Sequence, residues 1–231
     1  MNIYESVVNK LFQNADEKYR EFNKKIVNGE KPMIGVRAPV IKKIAKEVVK
    51  DDAEGYKAGC KFAYFEDSLI YGLVVGFESY GDFKRDYNSY LAHADSWADI
   101  DMFVPSIKCL KKPENALDFK KYIDENILRS DGFYLRFYIV ALMSFYLTEN
   151  YVREVLSLTE KIDGKGYYND MAIAWLISVS YVKFRETTHE FLKNDKLSEF
   201  THNKAISKIN DSFRVSKDDK QLLKSYMRKR K

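Results

Sequence analysis

Two cysteines, three histidines and two tryptophans are all that the 231 residues hold of each, with four prolines and ten glycines. Each scarcity closes a class of explanation. Cys60 and Cys109 stand apart with no Cys-x-x-Cys pair. Neither a disulfide scaffold nor a cysteine zinc site is expected, and a reducing cytoplasm suits the chain. His93, His189 and His202 share no ligand-like spacing with each other or with the cysteines, so no metal and no cofactor are expected. The start, Met1-Asn2-Ile3-Tyr4-Glu5, lacks the basic stretch and apolar run of a secretory signal. The longest apolar run, Phe133 to Leu147, is broken by Arg136 and is too short to span a bilayer. No stretch alternates strictly between hairpin turns, so no strand is expected.

What remains is a chain rich in charge and aromatic rings. Charged residues are 32%, hydrophobic residues 45%, and 17 Tyr and 15 Phe supply most of the aromatics. With few breakers, that composition predicts helices joined by short turns around a substantial core. Ile3, Val7 and Leu11 give residues 2–14 an apolar face. Asp16 is placed to cap a second helix reaching about Asn28, and Gly29 to stop it. Pro39 opens a helix whose outer face is basic: Lys42, Lys43, Lys46 and Lys50. Further helices are predicted at 53–64, 66–79, 82–93, 96–106, 114–128, 132–147, 150–161, 167–184, 187–193, 197–211 and 217–229. Pro105 ends or bends one of them, and Asp131 is placed to cap the most apolar one.

The helices pair at a spacing of roughly 35–45 residues, the period of helical solenoid repeats. The expectation is therefore all-α: a solenoid of HEAT-like antiparallel helix pairs, forming one domain over 1–231. An ordinary multi-helix globule is the alternative. The net charge of +5 equals the basic excess of the last segment alone, Ser216 to Lys231. A basic face elsewhere must come from local segregation of charge.

Four groups of residues stand out. In Ser96-Trp97-Ala98-Asp99-Ile100-Asp101, helical spacing puts Trp97 and Asp101 one turn apart on one face, and leaves Asp99 to a capping role. An indole beside a carboxylate can receive a cation; a lone Trp is also a common core anchor. Arg136 interrupts an apolar helix, so its guanidinium must reach solvent, a carboxylate or a phosphate. Trp175 follows the small residues Ala172 and Ala174, which allow close helix packing. Asn203, Lys204 and Lys208, with Arg214 beyond them, mix donors with basic groups near helix ends, a composition suited to phosphate contacts or to a solvated helix face.

Taken in order, these segments resemble the AlkD-type bacterial DNA alkylation repair proteins. Gly35-Val36-Arg37-Ala38-Pro39 leading into Ile41-Lys42-Lys43-Ile44 is similar to that family's N-terminal signature. Trp97 to Asp101 resembles its Trp-x-x-x-Asp segment, Leu135-Arg136 its active-site arginine, and Ala172-Ile173-Ala174-Trp175 its Ala-Ile-Gly-Trp motif. Asn203 to Ser216 resembles its DNA-facing end. The resemblance implies a right-handed superhelix, acting as a monomer on double-stranded DNA that carries alkylated purines. It implies excision of cationic N3- and N7-alkylpurines by a glycosylase using Asp101, Trp97, Trp175 and Arg136. It further implies DNA contacts from Arg37, Lys42, Lys43, Asn203, Lys204, Lys208 and Arg214. A non-catalytic DNA-binding member of the same fold, or a helical scaffold for a protein partner, are the alternatives.

Overall fold

A computed structural model describes residues 2–27 and 29–228. In chain order the α-helices are α1 (Ile3–Gln13), α2 (Glu17–Lys24), α3 (Ala38–Asp51), α4 (Ala53–Gly59), α5 (Phe65–Gly76), α6 (Tyr80–Leu91), α7 (Trp97–Phe103), α8 (Pro113–Asn126), α9 (Gly132–Phe145), α10 (Val152–Ile162), α11 (Tyr167–Lys183), α12 (Arg185–Asn194), α13 (Glu199–Asp211) and α14 (Lys217–Lys224). Among the described residues there is no strand, so the chain is all-α. No described helix is long and apolar enough to cross a membrane.

Local chemistry sets most of the starts. Asn2 accepts from the Glu5 amide at 2.8 Å and Asp16 from the Tyr19 amide at 2.9 Å, opening α1 and α2. Asp52, Ser79, Ser96, Ser198 and Ser216 cap five later helices in the same way. Each satisfies an amide that the first helical turn leaves without a partner. Asp131 occupies the N-cap position of α9, but its side chain makes no capping bond.

The chain divides into two compact units, Met1–Asp118 and Phe119–Lys231. In the first, α5 lies between α3 and α7 in one layer, with α6 also against it. Every residue of α5 is buried, Glu66, Asp67 and Ser68 of its first turn as well as the apolar rest. In the second unit, α11 has the same place between α9 and α13. Arg136 and nine-tenths or more of most side chains around it on α9 are shielded from solvent.

Several predicted boundaries shift for identifiable reasons. α4 stops at Gly59, not at residue 64, because Phe62 has φ +49° and its ring stacks on His93 at 3.9 Å between centroids. A bulky residue at positive φ cannot continue a helix. Pro105 turns the end of α7 into a short 3-10 turn, Val104–Ser106. α2 ends at Lys24, and the predicted end at Asn28 lies outside the described residues. α14 ends at Lys224; Lys229, Arg230 and Lys231, part of the basic end read from the sequence, also lie outside them.

Candidate functional site

The Ser96–Asp101 stretch forms the first turn and a half of α7. Ser96 and Asp99 make a reciprocal capping box: the Asp99 amide donates to Ser96 Oγ, while Asp99 Oδ2 accepts from the Ser96 amide at 2.9 Å, from Ser96 Oγ at 2.8 Å and from the Asp95 amide at 3.2 Å. Asp99 is fully buried and its Oδ1 has no hydrogen-bond partner. Burial therefore raises its pKa to about 6, although Ser96 opposes the shift. The capping role expected for Asp99 is the observed one.

That shift has a testable sign. An acid whose pKa is higher folded than unfolded stabilises the fold when protonated, and loses that contribution as pH rises through the folded value. Asp99→Asn mimics the protonated group. The variant is expected to gain about 2–3 kcal/mol relative to wild type between pH 4 and pH 7, at 1.36 kcal/mol per pKa unit. Thermal melts of both proteins across that range check it; parallel curves would show that Asp99 does not titrate there.

Trp97 and Asp101 emerge on the other face of the same turn. Both line a cavity of about 310 Å³ within the first unit, walled by Tyr19 and Asn23 of α2, Val27, Val36, Lys42 of α3, Phe65 and Leu69 of α5, and Met102. Trp97 Nε1 donates to the Ile26 carbonyl at 3.4 Å, which sets the indole against the end of α2. Apart from Asn23, the neutral walls are apolar or aromatic, so Asp101 and the exposed Lys42 are the charges at the cavity. Such a site suits a flat, cationic, partly apolar group: the rings give it faces to stack on and Asp101 supplies the opposite charge.

Glu66 shapes one wall, and sequence reasoning missed it. Its carboxylate, almost without solvent contact, accepts from three successive amides: Ile34 at 3.0 Å, Gly35 at 2.7 Å and Val36 at 3.1 Å. A carboxylate held by an arc of amides has its charge compensated without a cation. The arc requires Gly35, which has φ +97° and lies so close to α2 that a Cβ would meet Arg20 Cβ at 2.6 Å. The signature Gly35-Val36-Arg37-Ala38-Pro39 is thus a loop built to wrap Glu66 and deliver α3 to the cavity. In the sequence, Glu66 reads as an ordinary acid at a helix start.

Arg37 is exposed but engaged: its guanidinium donates to Asp16 Oδ2 at 2.8 and 3.1 Å and lies over the Tyr19 ring at 4.9 Å. Lys43 is exposed on α3.

In the second unit, Arg136 is buried, at 5% exposure. Of the solvent, carboxylate or phosphate expected for it, this burial rules out open solvent; Nη1 donates to the Tyr168 carbonyl at 2.5 Å, in the first turn of α11. Trp175 lies two turns further along α11 and is half-buried. On α13, Lys204 and Lys208 are half-buried. Asn203 exchanges two hydrogen bonds with the Arg228 backbone, both 2.9 Å, and so fastens the last described residue to α13. His202 beneath it bridges Asp195 Oδ2 at 2.8 Å and the Tyr226 carbonyl at 3.0 Å. Arg214 is exposed in the loop before α14. Apart from Arg37 and Arg214, every candidate lies on a helix of the central layer of its own unit: α3 and α7, or α9, α11 and α13.

Among the described residues, one trio of acids is close enough to share a cation: Glu54, Glu78 and Asp86. Lys57 Nζ sits among all three, in ion pairs with each.

The model of the DNA alkylation repair enzyme family matches residues 7–209. The chain belongs to that family. No curated protein matches it. As a DNA alkylation repair enzyme it acts on DNA in the repair of alkylation damage. The match takes in every candidate above except Arg214, including Glu66 and the whole cavity lining.

Proposed function

We propose that this repair enzyme is a DNA glycosylase that excises purines alkylated at N3 or N7 from double-stranded DNA. The observation that carries the reading is the placement of Trp97 and Asp101 in one cavity with aromatic and apolar walls and Lys42 beside them. Ring alkylation gives the purine a positive charge, so it leaves as a neutral base. The bond between sugar C1′ and the ring nitrogen breaks, and its electron pair goes to the base. Positive charge builds on C1′ and the ring oxygen, as in other glycosyl transfers. Asp101 offsets that charge and orients a water toward C1′. Water supplies the new C1′ oxygen and releases a proton, so the step balances without any cofactor.

The Trp97 indole faces the charged base or sugar. Lys42 holds a neighbouring phosphate. Trp175 and Arg136 enter this proposal through the family resemblance, Trp175 as a second ring for the substrate. Arg136 holds the start of the helix that carries Trp175 through Tyr168, and the resemblance adds a phosphate contact. Lys43, Arg37, Lys204, Lys208 and Arg214 are proposed as further phosphate contacts.

The test is release of 7-methylguanine or 3-methyladenine from alkylated duplex DNA, followed by chromatography of the freed base. Time-dependent release is expected. Wild-type protein that binds the duplex yet frees neither base would leave only the non-catalytic DNA-binding reading.

A further inference from the structure

Phe213 is completely exposed, at 102% of its reference area. It is not on a loose tail. It sits in the short connection between α13 and α14, where the Ser212 amide donates to the Ile209 carbonyl at 3.1 Å, Ser212 Oγ accepts from the Arg214 amide at 3.2 Å, and Ser216 Oγ caps α14 through the Asp219 amide at 3.1 Å. The turn is hydrogen-bonded at both ends and presents a phenyl ring beside an exposed guanidinium. Nothing in the excision chemistry uses it.

The same edge carries more of this pattern. At the other end of α13, Phe200 is 38% exposed and its ring meets that of Tyr167, itself 57% exposed, at 5.7 Å between centroids. Lys204 and Lys208, both half-buried, follow Phe200 at one-turn intervals along α13. α13 has 13 residues, so the edge is about 20 Å long. From residue 204 to 218 it holds four cations, Lys204, Lys208, Arg214 and Lys217, against two anions, Asp211 and Asp218.

A net-basic edge with aromatic rings at its ends can hold duplex phosphates but gains nothing there from its rings, because a regular duplex keeps its bases stacked. Such an edge suits a strand with unpaired bases. The lysines follow the backbone while each ring takes the face of an unstacked base, whatever its identity. We propose that the α13 edge, from Tyr167 and Phe200 to Phe213 and Arg214, binds a DNA strand with unpaired nucleotides. Phe213 is the principal stacking ring and Arg214 holds the adjoining phosphate. The protein then favours DNA interrupted by a short single-stranded gap over the intact duplex. This inference uses the family's action on DNA and does not depend on excision.

The experiment measures binding, by fluorescence anisotropy at fixed salt, to an intact duplex and to the same duplex with a short gap containing 2-aminopurine. Wild-type protein is expected to bind the gapped DNA about fivefold or more tightly than the intact one, and to quench the 2-aminopurine by stacking. Phe213→Ala, at a fully exposed position, is expected to fold normally and lose about 5- to 100-fold on the gapped DNA, with little change on the duplex. Phe213→Trp keeps both affinity and quenching. Lys204→Ala with Lys208→Ala weakens binding and reduces the salt slope by about two. Equal affinity of the wild type for the two DNAs overturns the proposal, as does a Phe213→Ala protein that binds the gapped DNA as wild type does. A protein that frees no alkylpurine yet keeps the Phe213-dependent preference supports this inference and removes only the glycosylase reading.

Discussion

Asp101→Asn is expected to slow release of 7-methylguanine by about 10²- to 10³-fold, the usual effect of removing one preorganised electrostatic group from the transition state. The two side chains have nearly the same shape, so the cavity keeps its walls, and affinity for the alkylated duplex should change little. The loss belongs in the single-turnover rate. An interaction that strengthens only as charge develops on the sugar appears in the chemical step and not in ground-state binding. The same substitution at Asp99, two residues away, provides the contrast. Asp99 is sealed inside the capping box and does not reach the cavity lining. Asp99→Asn should therefore shift stability with pH while excision at pH 7 stays within a few-fold of wild type. Single-turnover base release by the two variants checks both statements. An Asp101→Asn protein excising within about threefold of wild type would remove Asp101 from the mechanism, a change of less than 1 kcal/mol in barrier.

Glu66→Ala carries the largest expected effect on stability. Removing the carboxylate leaves the Ile34, Gly35 and Val36 amides without an acceptor in a buried place. Each unsatisfied buried donor costs about 1–3 kcal/mol. Partial relaxation of the loop toward water brings the expected total to about 3–5 kcal/mol, the range found when one side of a buried charged network is deleted. At about 2–4 °C per kcal/mol for a chain of this size, the melting temperature should fall by roughly 6–20 °C. Glu66→Gln separates the charge from the shape. Its carbonyl oxygen can still accept from Gly35 and Val36, but its NH₂ meets the Ile34 amide donor to donor. An intermediate loss is expected. Calorimetric melts of the two variants decide the matter, and a Glu66→Ala melt within 2 °C of wild type would show that the loop holds itself. Excision should fall as well, because Val36 lines the cavity and the same loop sets the start of α3 and the place of Lys42.

Much of the molecule was legible before any coordinates. All-α content followed from helical periodicity and the shortage of Gly and Pro, because those signals are local: a hydrophobic face every 3.6 residues and a capping side chain need only their sequence neighbours. Asp16, Ser96 and Asp99 illustrate this, each making its capping bond to a residue three positions away. Trp97 and Asp101 share a face for the same reason, since four residues make one helical turn. The family signal was legible too, as the order of short motifs from Gly35 to Ser216.

Other features depended on contacts distant in sequence. Arg136 was certain to need partners, but that one of them is the Tyr168 carbonyl, 32 residues on, follows from the packing of α9 against α11. Glu66 looked like a routine helix-start acid because its partners lie 30 to 32 residues earlier. α4 ended early because Phe62 leaves the helical region to stack on His93, a tertiary contact that overrides local propensity. That Asn203 ties the Arg228 backbone to α13 is likewise a contact 25 residues away in the chain. Phe213 was one aromatic among many, since composition does not distinguish a buried ring from one wholly in water. By itself, the sequence determined that the chain is all-α, roughly where its helices lie, and which side chains lie one turn apart. Tertiary structure alone decided which of those side chains meet across helices, that Trp97 and Asp101 open into a cavity, and which charges are already paired. Backbone hydrogen bonding and capping act over a few residues, whereas burial and charge compensation are properties of surfaces assembled from segments far apart in the chain.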